Sequence, residues 1–355
     1  MKLPRQYDDD FLGYQARFDT SYPDGTPIRP RVYSLVFPPP GFFPFYGDGY
    51  GDYHGFYWPI GLEDGPPIVA FSSHNVSSLI PENSNIESLY RCRLATSNGG
   101  TKDSLDDYRD FANRAIGKPP SEHDIRDLKS DDFTALLLLD PKSPFYSCAA
   151  ADVHVGNNEI EAAEQWYRQS LDQLPEYVAA HFGLAYVLRR QRRAEEATVY
   201  LRQSLLGPPA FYGGSFWSNT SLPGSFRNDW HRKALMWLKS SKTFHESIAD
   251  DPFIRSIHRL TFKSGLAVNP DFDVLRAIID EYAAKGRYSD GARTWQLIGD
   301  RARIETTSFR ERYNLNPTTY GTRLAELFEL AGNVLRAELI RNMLTKMNKP
   351  EGQYL

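Results

Sequence analysis

A 34-residue period between residues 144 and 209 constrains this 355-residue chain more than any other feature. When Pro175 is laid on Pro209, Ala163 falls on Ala197, Tyr167 on Leu201, Ser170 on Ser204 and Leu171 on Leu205. Within the second unit, Leu184, Ala185 and Leu188 mark one helix, and Ala197, Leu201, Ser204 and Leu205 mark a second. Two short helices cannot bury their own apolar faces, so such units must stack on neighbours. Alanine at 163 and 197 suits a close helix crossing, where a larger side chain would push the helices apart. The prolines end each hairpin, because proline lacks the donor that continues a helix.

This pattern of small, aromatic and proline positions resembles the tetratricopeptide repeat. Ser147 and His181 stand at its first large aromatic position, and Arg192 stands at the turn glycine of the second unit. Lys285-Gly286-Arg287, followed by Ala292 and Trp295, looks like a third unit, and Ala331-Gly332-Asn333, followed by Ala337, like a fourth. Residues 211–222 read as a Gly/Ser/aromatic loop, and residues 228–240 and 253–265 as further helices. The resemblance implies an all-α array over residues 143–350, working as a scaffold that binds partners.

The first hundred residues have a different texture. Pro38-Pro39-Pro40, Gly41-Phe42-Phe43-Pro44 and the glycines at 47, 49, 51 and 55 disfavour helix. Residues 31–37, 55–60 and 67–72 read as strands, with aromatic and β-branched side chains between turn formers. A first helix is predicted over 8–18 and another over 81–94, with Ser84 as its cap and Glu87 at capping-box spacing. Residues 97–142 form an acidic connector, with a helix near 105–116 and a short one starting at Ser121. The run 135–139 reads as a short buried segment.

The N-terminal motifs follow in order: Leu3-Pro4, Tyr7, Phe11-Leu12; Gly47-Asp48-Gly49, Gly51-Asp52-Tyr53, Gly55-Phe56-Tyr57-Trp58-Pro59-Ile60-Gly61; Pro67-Ile68-Val69-Ala70; His74-Asn75; Leu79, Pro81, Ser84 and Leu89. In that order they resemble the SUKH superfamily of small α+β domains. Bacterial members of that group are mostly immunity proteins that bind and neutralise partner toxins. The resemblance covers residues 3–95, with His74-Asn75 where the group has His-Asp. The expected architecture is therefore an α+β SUKH-like domain over 1–96, a connector over 97–142 and a tetratricopeptide-like array. The expected function is stoichiometric neutralisation of a cognate protein toxin; the alternative is a regulatory adaptor assembling host partners.

Charge supports a partner-binding reading. Residues 1–140 hold 13 Lys/Arg against 21 Asp/Glu, a net −8, and residues 141–355 hold 28 against 24, a net +4. An acidic half attracts a basic partner. Asp48, Asp52, Glu63 and Asp64 are read as phosphate mimics before a nucleic-acid-acting toxin. Alternation in Phe56-Tyr57-Trp58 sends Phe56 and Trp58 to the core and leaves Tyr57, with Tyr50, as exposed anchors. His54 and His74 complete the candidate partner-binding set.

No catalytic, metal or cofactor chemistry is expected. Asp48, Tyr50 and Asp52 lack the ligand pattern of a calcium loop, and there is no glutamate twelve positions on. No phosphate-binding glycine motif opens a helix after a strand. The basic run at 189–193 reads as a solvated helix turn, so nucleic acid is not an expected partner. No apolar run has the roughly 20 residues that span a bilayer. Two cysteines, Cys92 and Cys148, do not make a disulfide framework, and a cytoplasmic location is expected.

Overall fold

The computed structural model describes residues 39–47, 53–73, 78–96, 128–212, 230–261, 270–304 and 313–347. A four-stranded antiparallel sheet comes first, and helices follow. The strands are β1 (Phe42–Gly47), β2 (Tyr53–Tyr57), β3 (Ile68–Ser73) and β4 (Ser78–Asn83), in the spatial order β1-β2-β3-β4. Helix α1 (Ile86–Ala95) closes this unit. The predicted strand at 31–37 and the helices at 8–18, 105–116 and 121 onward lie outside the described residues.

Two prolines sit in strands, and both lie on the sheet's edges. Pro44 is on β1 at an irregularity in its pairing with β2, and Pro81 is on β4, where the register against β3 slips. An edge strand at a bulge can accommodate a residue with no N–H to offer. The helix predicted over 81–94 therefore begins later. Pro81, Glu82 and Asn83 finish β4, and Asn85, not Ser84, caps α1 by accepting from the Ser88 amide at 2.9 Å. Ser84 instead bonds the Asp140 carboxylate, through its amide at 2.8 Å and its hydroxyl at 2.6 Å.

The helices are α2 (Phe133–Leu139), α3 (Pro144–Gly156), α4 (Ile160–Gln173), α5 (Val178–Arg190), α6 (Ala194–Leu206), α7 (Trp230–Ser240), α8 (Pro252–Arg255), α9 (Pro270–Ala284), α10 (Tyr288–Ile304), α11 (Pro317–Leu330) and α12 (Val334–Met347). From α3/α4 to α5/α6 the starting residues shift by 34. Ser143 caps α3, accepting from the Tyr146 amide at 2.9 Å, with Pro144 at the first helical position. Of the helix expected over 253–265, residues 253–261 are described, and they form the end of the single turn α8 followed by a 3-10 turn, Ile257–Arg259; residues 262–265 lie outside the described residues. In α2, Leu136 and Leu137 are buried, but Leu138 is 75% exposed, so the run 135–139 is only half core.

Four hairpins, α3/α4, α5/α6, α9/α10 and α11/α12, turn in the same way. Each has one residue with left-handed backbone: Asn158 (φ 66°), Arg192 (φ 65°), Gly286 (φ 68°) and Gly332 (φ 85°). The next residue's amide then bonds back five positions: Glu159 to His154, Arg193 to Leu188, Arg287 to Tyr282 and Asn333 to Phe328, at 2.8–2.9 Å. This is the Schellman closure, which satisfies helix-end carbonyls. Five residues after the left-handed residue stand Ala163, Ala197, Gly291 and Ala337, all buried. In the third hairpin the small residue at the crossing is thus Gly291, one position before Ala292, which is also buried.

Among the described residues the main hydrophobic core runs from the sheet to α12. It takes in Tyr57, Ile68, Ala70 and Leu79 of the sheet and continues along the helices to Leu344. A smaller cluster of Cys92, Leu136, Leu137, Tyr146 and Ala150 ties α1 to α2 and α3. Among the described residues no helix is long and apolar enough to cross a membrane. Cys92 and Cys148 are buried, unbridged thiols, and burial pushes Cys92 up to about 12.

Candidate functional site: the junction of sheet and helices

The pairings Tyr57 with Ile68 and Gly55 with Ala70 put these residues on one face of the sheet. His54, Phe56, Val69 and Phe71 take the other face. That second face carries an aromatic layer, with Phe43 and Phe56 5.5 and 6.2 Å from Trp58 and His54 4.9 Å from Phe71. The first face meets the helices. Alternation alone would leave it to solvent, but here both faces are covered. Tyr57 is therefore fully buried, which overturns the expectation of an exposed anchor; Phe56 and Trp58 are core as expected. Gly55 has its own reason to be glycine: a Cβ there would lie 2.5 Å from the Phe42 ring.

Two polar knots close the junction. The Tyr57 hydroxyl donates to Glu176 at 2.7 Å, and the Ile60 amide donates to the same carboxylate oxygen at 2.8 Å. Glu176 lies in the turn between α4 and α5. The Phe211 ring packs edge-on against Tyr57 at 4.8 Å. Burial, reinforced by the Glu176 carboxylate, pushes the Tyr57 phenol well above its ordinary range. Burial also raises Glu176, against the opposing pull of the Ile60 and Tyr57 hydrogen bonds.

The second knot is Arg336 on α12, 1% exposed. Its Nε donates to Glu63 at 2.9 Å, and its two terminal nitrogens donate to the backbone carbonyls of Pro40 and Trp58. Burial alone would lower its pKa, but the surroundings, Tyr57, Glu63 and Glu176 in that order, more than offset this and raise it. Gly41, with φ 102°, gives the guanidinium its space, since a Cβ there would sit 2.2 Å from Nη1. Glu63 is therefore a buried ion-pair partner rather than a surface phosphate mimic. Nothing in the local sequence around residue 63 pointed to a partner 273 positions away.

His54 is also buried, 3.2 Å from Glu82, and Arg93 reaches the same two groups. Burial works to raise Glu82, but Arg93 and His54 hold it at about 2. Asp64 is exposed, as is Leu62 beside it at 47%. Asp48, Tyr50, Asp52 and His74 lie outside the described residues. Of the candidate set, Tyr57 and Glu63 share the junction, His54 sits on the opposite face and Asp64 is on the surface. Sequence reasoning missed Glu176, Arg336 and Glu82. The proximity of Glu176 to the repeat proline was their only trace. Among the described residues no three His, Cys, Asp or Glu side chains are grouped to hold a metal ion.

Comparison with known proteins places the sheet and α1 inside a recognised unit. Residues 21–104 match the family model described as the YfbP N-terminal domain. The chain is also similar to a protein of Escherichia coli (strain K12) recorded as "Uncharacterized protein YfbP", 25% identical over 317 residues, spanning 86% of this chain and 94% of that one. The likeness therefore extends across both the sheet and the helices.

Proposed function

We propose that this protein is a stoichiometric protein binder of the immunity type, which neutralises a partner toxin by covering it. In this reading the four hairpins are tetratricopeptide-like repeats, and the sheet with α1 is a SUKH-like unit. The observation that carries it is the junction itself. Tyr57, Glu176, Glu63 and Arg336 are consumed in fixing the sheet on the helices, so the described parts of the two units are held together before a partner arrives. Preorganisation reduces the entropic cost of association, which an inhibitor acting by occupancy requires.

This junction leaves the loop at 61–66 at the surface. Gly61, Leu62, Asp64 and Pro66 are exposed, while Glu63 in their midst is anchored. A Cβ on Gly61 would lie 3.5 Å from Asn333, at the start of α12, where Val334 is 47% exposed. This gives an apolar spot with an acidic neighbour, a fitting contact for a toxin with a basic site. The test is co-expression with the product of the adjacent gene. Rescue of growth and a one-to-one complex, both lost in a Leu62→Arg, Asp64→Lys variant, are expected. Failure to bind that product, with no rescue, would overturn the reading in favour of a host-protein adaptor.

A further inference from the structure

We propose that His181 is an acid-sensitive latch on the seam where the second hairpin, the third hairpin and the sheet come together, and that protonating its imidazole releases the turn that holds the sheet. His181 lies on α5, at the position where the repeat pattern expects a large aromatic side chain, and it is 8% exposed. Tyr177, at the start of α5, makes no capping bond with its side chain. The imidazole reaches back instead, and its Nε2 lies 2.7 Å from the Pro175 carbonyl. A carbonyl can only accept, so the proton of the neutral ring sits on Nε2 and Nδ1 is bare. That bond ties α5 to the turn between α4 and α5. The same turn carries Glu176, which accepts from the Tyr57 hydroxyl and the Ile60 amide.

The surroundings make no provision for a second proton. Nδ1 is buried and has no hydrogen-bond partner among the described residues. The Tyr200 ring of α6 lies 6.0 Å from the imidazole, and its hydroxyl accepts from Arg168 of α4. From α10 comes Arg293, half-buried, which donates to Gln203 of α6 at 2.7 Å. Glu176, next to Pro175, spends a carboxylate oxygen on Tyr57 and Ile60. Among the described residues no carboxylate bonds the ring. A proton on Nδ1 would therefore create a buried donor without an acceptor and a second cation facing Arg293, and each is unfavourable. The charged ring is stable only in water, and to reach water the side chain must let go of Pro175.

Burial accordingly pushes the imidazole down to about 4; the Pro175 bond works upward, and the Arg293 charge works further downward. The ordinary value of 6.5 applies once the ring is in solvent. Between the two values the open state binds more protons than the closed one. Closure is thus fully favoured above 6.5 and weakens as pH falls towards 4. This window lies largely above the one in which Glu82 titrates. Burial raises Glu176, so its protonation acts in the opposite sense. Comparison with a variant that takes up no proton at position 181 isolates the imidazole.

Hydrogen exchange of the full chain, followed by mass spectrometry at pH 7 and pH 5 and corrected for intrinsic rates, tests the latch. The reference is His181→Gln, whose amide can still donate to Pro175 but does not titrate. Between pH 7 and pH 5, residues 174–190 and 56–62 of the wild-type chain should lose protection by about tenfold or more relative to the variant. Equal changes in the two proteins would overturn the proposal. So would a loss confined to 174–190, which would leave the sheet in place. Should His181→Gln fail to fold, Arg293→Gln serves. Removing the facing cation should shrink the loss at pH 5 by at least about threefold. An undiminished loss in that variant would overturn the proposal.

Discussion

Arg336, on the last helix, donates to the carboxylate of Glu63, in the loop after the second strand, at 2.9 Å with both side chains buried. The pair staples the two ends of the described chain together. A buried pair of this kind is not strongly stabilising against an apolar replacement, but breaking it is costly, because the charge left behind has no solvent. Arg336→Ala should therefore destabilise by about 3–5 kcal/mol, and Glu63→Gln in the same background should recover part of that loss. Denaturant melts of the two single variants and the double variant measure the coupling. Strict additivity would show that the pair does not hold the junction.

The Glu82 cluster makes a claim about pH. Its folded pKa of about 2 lies below the unfolded value of 4.5. In that window the unfolded chain binds more protons than the folded one. The stabilisation is thus fully present above 4.5 and lost as pH falls towards 2. Glu82 is slightly exposed, which trims the effect to about 2 kcal/mol. Stability should fall on acidification through this window, and Glu82→Gln should flatten the fall. An unchanged acid slope in the variant would place the titration elsewhere.

Arg192 occupies the left-handed turn position that glycine fills at 286 and 332. A side chain there costs about 1 kcal/mol, partly offset by the stiffer unfolded chain. Arg192→Gly should stabilise by about 0.5 kcal/mol and Gly332→Ala should destabilise by about 1 kcal/mol. A Cβ on Gly332 would meet nothing within 4 Å, so backbone strain alone decides the second value. Thermal melts of the two variants check the pair, and equal shifts in the same direction would refute the turn argument.

The helical half was legible because a helix writes its buried stripe and its end signals locally: Ala163, Ala197, Pro175, Gly286 and Gly332 carry them. The middle strands were legible from the same kind of local pattern. Edge strand β4 was not, because Pro81 disfavours a strand except at an edge or a bulge, and neither is visible before the sheet is assembled. Tyr57 was misplaced for a related reason. Period two states which residues share a face; it does not state that a second unit covers that face. Glu176 and Arg336 were out of reach, since each meets the sheet across more than a hundred residues. The residues the junction uses are those whose partners no local pattern encodes.

The junction also bears on whether the two halves can be separated. The sheet gives Tyr57, Ile68, Ala70 and Leu79 to the common core, and removing residues 141–355 would bare that face. It would also strip Tyr57 and the Ile60 amide of Glu176, and leave Glu63 without Arg336. A chain ending at residue 140 should therefore lack a cooperative melt, bind a hydrophobic dye and lose near-ultraviolet circular dichroism, while retaining some secondary structure. Loss of partner binding in that chain would then reflect unfolding and would not locate the binding surface. A sharp, reversible melt of the truncated chain would show that the sheet folds alone and that the Tyr57–Glu176 and Glu63–Arg336 contacts only dock a finished domain.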